Sequence, residues 1–445
     1  MINRLAARRR TSELGLLIMA LLVIGSGYLL TALADKPDIP ADLWGLLAIM
    51  AALMLVAHLA VRHFVPRADG TLLPLVALLT GIGFVTISRL DKHLARVQAT
   101  WVAVGVLAFV LTLALVRRVR VLERYRYTFM ILGLGALFLP LAPAPIGQEL
   151  FGARLWVRVG PIQVQPSEAS KVFLVIFAAA YLADKQEVLA EGTLRMGGVR
   201  LPHPKHLGPL LFAWGTTITL MVVQKDLGSS LLFFAIFTAM LYMATGRKIF
   251  LVGGGIVFIA SATLAYHLFE HVRVRVSTWA DPWSVASGKG YQLVQSLFAF
   301  GTGGFAGTGL GLGSPDKIPV VARDFIFAAI AEELGLLGTV AVILAFLLLV
   351  GSGFRIAVES DRAFSKLFAA GLTTIIGVQT FIIVAGVTRV IPLTGITLPF
   401  VAYGGSSLVM NFVILALLLR MSDENAARAE TTALAATPVR VPSGR

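Results

Sequence analysis

Long apolar runs, separated by short polar segments, recur along most of the chain. A helix needs about 20 apolar residues to cross the hydrocarbon of a bilayer, within a range of roughly 17–25. The pattern predicts an all-α polytopic membrane protein with about twelve transmembrane helices, the sixth of which is short and can begin earlier, near Pro166. The predicted spans are 14–33, 43–61, 72–88, 97–116, 127–142, 170–183, 207–223, 228–244, 249–269, 325–350, 366–387 and 404–420.

Basic residues are concentrated in every second connection between these runs. Cytoplasmic loops carry an excess of Lys and Arg, so both termini are predicted to be cytoplasmic. Arg89, Lys92 and Arg96 form the one basic group on the other side. The cytoplasmic clusters lie within 4–10, 117–126, 185–206, 247–248 and 355–366.

The composition supports a membrane protein and argues against nucleic-acid binding. Only 14% of residues are charged, against about a quarter in soluble domains, and the mean hydropathy is +0.84. The net charge of +14 is spread over short loops, whereas nucleic acid needs a contiguous basic face. The absence of cysteine excludes disulfides, thiolate metal sites and cysteine nucleophiles.

Two long segments, 143–169 and 270–324, fall on the non-cytoplasmic side. They greatly exceed the usual connection of about 4–6 residues, and such loops often carry function. The chain is predicted to divide into an N-terminal extension with two spans, 1–71, a membrane domain with the other ten, 72–420, and a disordered cytoplasmic tail rich in Ala, Thr and Pro, 421–445.

Polar residues at two helix starts are the first candidates for chemistry. Glu168 and Lys171 are spaced i, i+3 and can form an ion pair on one helical face, close to Trp156 as an interfacial anchor. Asp226 opens the eighth span as a helix N-cap and could in addition position a cation or a loop. A simple capped helix entrance explains the first motif equally well, and for Asp226 the simple cap is the favoured interpretation.

The large outer segment contains further charged and glycine-rich motifs. The glycine-rich run 301–311 is not preceded by the strand that a dinucleotide-binding motif requires. Its glycines either let backbone amides approach a ligand or let an irregular loop pack. The basic residues of this segment include Arg273, Arg275, Lys317 and Arg323.

Acidic residues follow at the start of the tenth span, where Asp324 precedes Glu332 and Glu333. A charge at the bilayer centre costs about 2.5–3.5 kcal/mol on insertion scales, so such groups usually face the protein interior and pair with cations. The two glutamates therefore predict a buried polar site, with Arg389 as candidate partner.

Proline and glycine interrupt the helical pattern at 391–407. Broken backbone at membrane depth is tolerated where it is buried in protein or lines a cavity. The segment is either such a broken wall or an outer loop with a re-entrant bend.

In order and spacing these motifs resemble the SEDS family (shape, elongation, division and sporulation), the RodA/FtsW membrane glycosyltransferases of bacterial wall synthesis, and favour its RodA-like branch. The resemblance covers about residues 72–420 and rests on the following residues: Trp156, Gln165-Pro166-Ser167-Glu168, Lys171, Asp226-Leu227-Gly228, Asp324-Phe325-Ile326-Phe327, Ala331-Glu332-Glu333-Leu334-Gly335, Thr394-Gly395 and Tyr403-Gly404-Gly405-Ser406-Ser407.

The resemblance implies that lipid II, an undecaprenyl-pyrophosphate-linked disaccharide-pentapeptide, is polymerised into glycan strands at the outer face of the bacterial cytoplasmic membrane. It places the catalytic residue at Asp324, other functionally sensitive positions at Trp156, Glu168, Lys171 and Asp226, and a class B penicillin-binding transpeptidase as partner. The chain departs from the family in its two extra N-terminal spans and in Leu155, which stands where Arg is common, with Arg154 one position earlier.

The mechanism that follows is inverting glycosyl transfer. Asp324 would act as general base on the acceptor hydroxyl, a contribution of about 10²–10⁴ in rate, and cations would stabilise the leaving pyrophosphate. No cofactor is required by the sequence, although a divalent cation, Mg²⁺ or Mn²⁺, could assist. The candidate cationic side chains are Arg273, Arg275, Lys317, Arg323 and Arg389.

A lipid-precursor flippase or transporter is the alternative function, because twelve spans resemble a two-halved carrier. No repeat between the halves is visible, although such folds often show one. A scaffold that only anchors other proteins is a third class, but it would leave Asp324, Glu332 and Glu333 without a role.

Overall fold

The structure is a computed structural model that describes residues 2–35, 43–144, 146–150, 152–160, 162–191, 194–196, 199–201 and 204–436. Sixteen α-helices lie within these residues. They are α1 (Ile2–Asp35), α2 (Leu43–Phe64), α3 (Leu72–Leu90), α4 (Lys92–Leu115), α5 (Arg120–Arg124), α6 (Arg126–Phe138), α7 (Pro166–Glu191), α8 (Pro204–Val223), α9 (Leu227–Thr245), α10 (Lys248–Leu268), α11 (Glu270–Ala280), α12 (Tyr291–Gly303), α13 (Val321–Asp324), α14 (Ile326–Glu359), α15 (Ala363–Val387) and α16 (Gly405–Ala436).

The predicted all-α polytopic fold is confirmed, and each predicted span coincides with a helix. In the described part of the chain, ten helices are long and apolar enough to cross a membrane. The other two predicted spans are α6, which has only 13 residues, and α7, which carries buried charges in its first turns. As expected, α7 begins at Pro166, because proline is well suited to the first turn of a helix.

Helices α7, α15 and α16 form the centre of the bundle, and their buried residues are largely apolar or small. Helix α10 contacts α9 and α11, but none of its residues is buried within the chain. The two N-terminal helices pack against α3 and α4.

Short strands occur where the sequence analysis predicted only loops. Antiparallel strands β1 (Gly147–Leu150), β2 (Ala153–Val159) and β3 (Ile162–Val164) form a small sheet in which Gln148 lies opposite Trp156. A second hairpin, β4 (Leu194–Met196) with β5 (Val199–Leu201), follows α7. The large outer segment folds into α11, α12 and α13, which lie close to the broken segment between α15 and α16.

The predicted disorder from residue 421 onward does not hold for residues 421–436, where α16 continues. Asn425 is buried and donates to the Ile356 carbonyl at 2.9 Å, and Asp423 accepts from the backbone N–H of Arg67 at 2.7 Å. Because Ile356 lies on α14 and Arg67 in the turn between α2 and α3, both far away in the sequence, local composition gave no sign of these partners. Residues 437–445 of the predicted tail lie outside the described residues.

Candidate active site

Asp324 ends α13, a four-residue helix between the outer segment and α14. Val320 precedes this helix in a left-handed conformation, with φ +56°. The backbone N–H of Tyr403 donates to the carbonyl of Ala322 at 2.8 Å, which ties α13 to the segment before α16. These constraints hold the Asp324 carboxyl at the mouth of α14.

An open pocket of about 220 Å³ lies beside Asp324. It combines one carboxyl group with two cations, an amide and an indole. Polar groups that converge in a concave site are the usual signature of a ligand site. Its lining residues are Val274, Arg275, Thr278, Trp279, Lys289, Gln292, Leu293, Asp324, Leu393 and Gly395.

The surroundings of Asp324 change its acidity. Burial raises the pKa of Asp324 to about 6, although Arg323 and Arg275 oppose the shift. Burial also lowers the pKa of the Arg275 guanidinium, with Asp226 and Asp324 acting in the opposite direction. A carboxylate with a pKa just below neutral is ionised at pH 7 and still basic enough to accept a proton.

Arg275 connects α11 to the broken segment that forms the opposite side of the pocket. Its Nη1 donates to the carbonyl oxygens of Thr394, at 2.8 Å, and Leu393, at 3.2 Å. Gly395 follows with φ +75°, and a Cβ there would lie 3.9 Å from Oδ2 of Asp324 and 4.0 Å from Nη2 of Arg275. Glycine thus allows the backbone to turn closely past the two charged groups.

The predicted Glu168–Lys171 ion pair is present and buried, with Nζ of Lys171 2.7 Å from Oε2 of Glu168. The same Nζ donates to Oε1 of Gln379 on α15 at 2.9 Å. Nε2 of Gln379 in turn donates to the Thr397 carbonyl at 2.7 Å. The pair is therefore bonded, through Gln379, to the segment that lines the pocket.

Asp226 is the predicted N-cap of α9 and accepts from the backbone N–H of Ser229 at 2.9 Å. Its other oxygen, Oδ2, is buried and has no hydrogen-bond partner among the described residues. Burial raises the pKa of Asp226, and the neighbouring Arg275 opposes this shift. Two residues further on, Gly228 approaches Thr394 so closely that a Cβ would lie 2.8 Å from the Thr394 carbonyl oxygen.

Glu332 and Glu333 are buried, as predicted, but the prediction that Arg389 pairs with them is wrong. Arg389 instead donates to the carbonyls of Trp279 and Ala280, at 2.9 and 2.6 Å, at the C-terminal end of α11. Glu333 lies 3.4 Å from Nε of Arg89. This contact explains one of the basic residues that departed from the charge pattern, since Arg89 faces an acidic partner within the fold.

The glycine-rich run packs on α14, where its backbone groups are used within the protein. Gly335 interrupts α14 with φ +64° and ψ −161°, and Leu336 N–H donates to the carbonyl of Gly304 at 3.0 Å. The backbone N–H groups of Thr308 and Gly309 donate to the carbonyls of Glu332 and Glu333, each at 3.0 Å. Of the two alternatives for these glycines, the structure shows loop packing.

The remaining candidates are not among the residues that line the pocket. Arg323 sits over the ring of Tyr403, 5.4 Å from its centroid, whereas Arg273 and Lys317 are exposed. Trp156 is partly buried on β2. Arg154 pairs with Glu149 on the surface, a type of contact worth about 0–1 kcal/mol.

Lys289 and Gln379 are two polar residues of the site that the sequence analysis did not select. The signal for Gln379 was available, since it is an uncharged polar residue within an apolar span. For Lys289 there was none, because nothing in the sequence distinguishes it from the other cations of the outer segment.

The donor groups at the pocket do not fit a metal ion held by the protein. Asp324 is the one carboxyl group among the lining residues. Over all the residues that the structure describes, His, Cys, Asp and Glu form no group of three or more that could hold a metal ion. The chemistry below is therefore derived from the side chains alone.

Comparisons with known proteins agree on one family. A family model described as "Cell cycle protein", covering FtsW, RodA and SpoVE, matches residues 68–427. The chain is 43% identical over 425 residues to the peptidoglycan glycosyltransferase RodA of Mycobacterium tuberculosis, an alignment that covers 93% of this chain and 90% of the relative.

Two solved structures are similar in fold. The rod shape determining protein RodA of Thermus thermophilus has 25% identity and a TM-score of 0.58, over 80% of this chain and 97% of that one. A chain from a structure of a peptidoglycan synthase complex that coordinates polymerization and crosslinking has 26% identity and a TM-score of 0.67, over 80% of this chain and 98% of that one.

Proposed function

The chain belongs to the FtsW, RodA and SpoVE family of cell cycle proteins, and on this premise we propose that it is a peptidoglycan glycosyltransferase that polymerises lipid II into glycan strands. The observation that carries the proposal is the position of Asp324, whose carboxyl group lines an open pocket together with Arg275 and Lys289. A transfer reaction that needs a base and also releases a diphosphate requires this combination of groups.

In the proposed reaction, Asp324 accepts the proton of the GlcNAc 4-hydroxyl of one lipid II molecule. The hydroxyl oxygen forms a bond to the anomeric carbon of the MurNAc of another, and the bond from that carbon to the lipid pyrophosphate breaks with inversion. The pKa of Asp324, about 6, suits this role because an effective base has a pKa near the working pH. The proton then passes from Asp324 to water.

The leaving pyrophosphate carries concentrated negative charge, and fixed cations at the pocket would stabilise it. Arg275 is held by the carbonyls of Leu393 and Thr394 through Nη1, which leaves Nη2 beside Asp324 and Gly395. Lys289 lines the same pocket. We therefore assign the leaving group to Arg275 and Lys289 rather than to Arg273 and Lys317, which do not line the pocket.

The proposal places the pocket on the outer face of the cytoplasmic membrane, with both termini in the cytoplasm. The basic connections support this orientation, and a substrate tethered to lipid suits a site where nucleotide sugars are absent. A crosslinking transpeptidase of the class B penicillin-binding type is the proposed partner, supported by the similar chain in a complex that couples polymerization to crosslinking.

Replacement of the base tests the function. With purified protein, lipid II and a transpeptidase inhibitor, Asp324→Asn should lower the polymerisation rate by about 10²–10⁴-fold, the usual contribution of a general base. Asp316→Asn is the matched control, because Asp316 is an exposed aspartate of the same outer segment and should keep wild-type activity.

The same assay separates the alternatives. Glycan polymer made by Asp324→Asn at the wild-type rate would contradict the role of Asp324. Movement of lipid II across proteoliposomes by the wild-type protein, without any polymer, would instead indicate a flippase.

A further inference from the structure

Gln379 is a fully buried amide on α15 whose two ends are bonded to different parts of the protein. Its Oε1 accepts from Lys171 of α7 at 2.9 Å, and its Nε2 donates to the Thr397 carbonyl at 2.7 Å. A buried amide without partners is costly in an apolar environment. Here both ends are satisfied, so Gln379 forms a bridge between α7 and the broken segment.

The side of the pocket that Gln379 reaches consists of residues 391–398, which we name the wall segment. In this segment the chain forms neither helix nor strand. Backbone bonds fix its ends, where Ile391 N–H donates to the Ala385 carbonyl at 3.2 Å and Ala402 N–H to the Leu398 carbonyl at 3.0 Å. Between the ends, Arg275 donates to the carbonyls of Leu393 and Thr394, and Gln379 to that of Thr397. The middle of the wall segment is thus held by side chains at two points.

Gly395 lies between these two points of attachment and faces the base. A Cβ at Gly395 would be 3.9 Å from Oδ2 of Asp324, so the wall backbone and the carboxyl group are close neighbours. Loss of the bond at Thr397 would leave Arg275 as the remaining side-chain hydrogen bond to the middle of the wall segment among the described residues. The backbone opposite Asp324 could then shift, and with it the surface against which a substrate is placed.

We propose that Gln379 is a positioning residue: it links the buried Glu168–Lys171 pair to the wall segment and so sets the distance between the wall and Asp324. This inference rests on the proposed function, and it assigns Lys171 a role through Gln379 rather than in contact with the substrate. Misplacement of reacting groups by about 1 Å can cost 10²-fold in rate.

The first test is Gln379→Met, which keeps the length of the side chain and removes both hydrogen bonds. The kcat for lipid II polymerisation should fall by about tenfold to 10²-fold, with KM close to the wild-type value, because the loss arises in the transition state. Thr380→Val is the control on the same helix: Thr380 is buried but bonds within α15, to the Ile376 carbonyl at 2.8 Å, so kcat should be unchanged.

A double-mutant cycle tests whether Lys171 acts through Gln379. If it does, the fold-loss of kcat in the double variant Lys171→Met/Gln379→Met should be far smaller than the product of the two single fold-losses, because the effects of coupled residues are not additive. Gln379→Glu is the second probe. This variant keeps an acceptor for Lys171 but loses the donor to Thr397. Its kcat should therefore fall as far as that of Gln379→Met. The comparison remains available even if Lys171→Met fails to fold.

Thermal unfolding in detergent accompanies each variant. Wild-type kcat in a folded Gln379→Met or Gln379→Glu would overturn the proposal, as would single effects that simply multiply in the double variant. Failure of the proposed function gives a different result: the wild-type protein itself would then make no polymer, or Asp324→Asn would polymerise at the wild-type rate, whatever the state of Gln379.

Discussion

At the scale of single residues, Asp324 depends on a balance between burial and neighbouring charge. Burial favours the protonated carboxyl group, while Arg323 and Arg275 favour the carboxylate. Burial wins, and the pKa rises from its ordinary value of 3.8 to about 6. The two arginines therefore keep the pKa of Asp324 below the value that burial alone would give, in addition to any contact with substrate.

The pH dependence of the reaction should report this balance. Below about pH 6 the carboxyl group is protonated, so kcat/KM should fall by about tenfold per pH unit as the base is lost. A pH profile with purified protein, alongside thermal unfolding at each pH, measures it. An acidic limb at the ordinary pKa of aspartate would show that burial does not raise the pKa of Asp324.

At the scale of elements, the break in α14 allows the glycine-rich run to pack. Gly335 has φ +64° and ψ −161°, a region that is essentially restricted to glycine. A Cβ at this position would lie 2.3 Å from the backbone nitrogen of Gly307. The backbone of Gly335, two residues after Glu333, therefore lies in direct contact with the backbone of Gly307 in the glycine-rich run.

Gly335→Ala should destabilise the protein because alanine is strained in this conformation, at a cost of about 1–3 kcal/mol, and its methyl group overlaps Gly307. Gly351→Ala is the control on the same helix, where a Cβ meets open space, and it should stabilise by about 0.5–1 kcal/mol. Thermal unfolding in detergent measures both. Equal stability of the two variants would show that the break does not require glycine.

At the scale of the whole molecule, the two N-terminal helices are joined to each other by buried polar contacts and pack against α3 and α4. Glu13 of α1 is bonded to Arg10 and, at 2.7 Å, to His58 of α2. Near the other end of α1, a Cβ at Gly311 would lie 2.7 Å from Cβ of Ala34. We propose that residues 1–71 brace the glycine-rich run while residues 72–420 carry the reaction.

The proposed orientation can be tested with single cysteines, because the chain has none of its own. Lys317→Cys and Arg118→Cys are suitable, since both side chains are exposed and they lie on opposite predicted sides. In spheroplasts, a membrane-impermeant maleimide should label Lys317→Cys, and Arg118→Cys only after permeabilisation. The reverse pattern would place the pocket on the cytoplasmic side.

Much of this protein could be predicted from its sequence because the governing physics is local. The length of an apolar run determines whether a helix can span the bilayer, so every predicted span coincides with a helix. The Glu168–Lys171 pair and the Asp226 cap follow from spacing along a single helix. The motif order likewise identified the family.

Contacts between distant segments were decided by the tertiary structure alone. Arg389 bonds to α11 rather than to a glutamate, Gln379 meets Lys171 across 208 positions, and residues 421–436 continue a helix whose polar side chains find buried partners. Polar side chains take whichever donor or acceptor the packing of helices brings within about 3 Å. Helical periodicity specifies the face on which a residue lies, whereas its partner depends on how the helices cross.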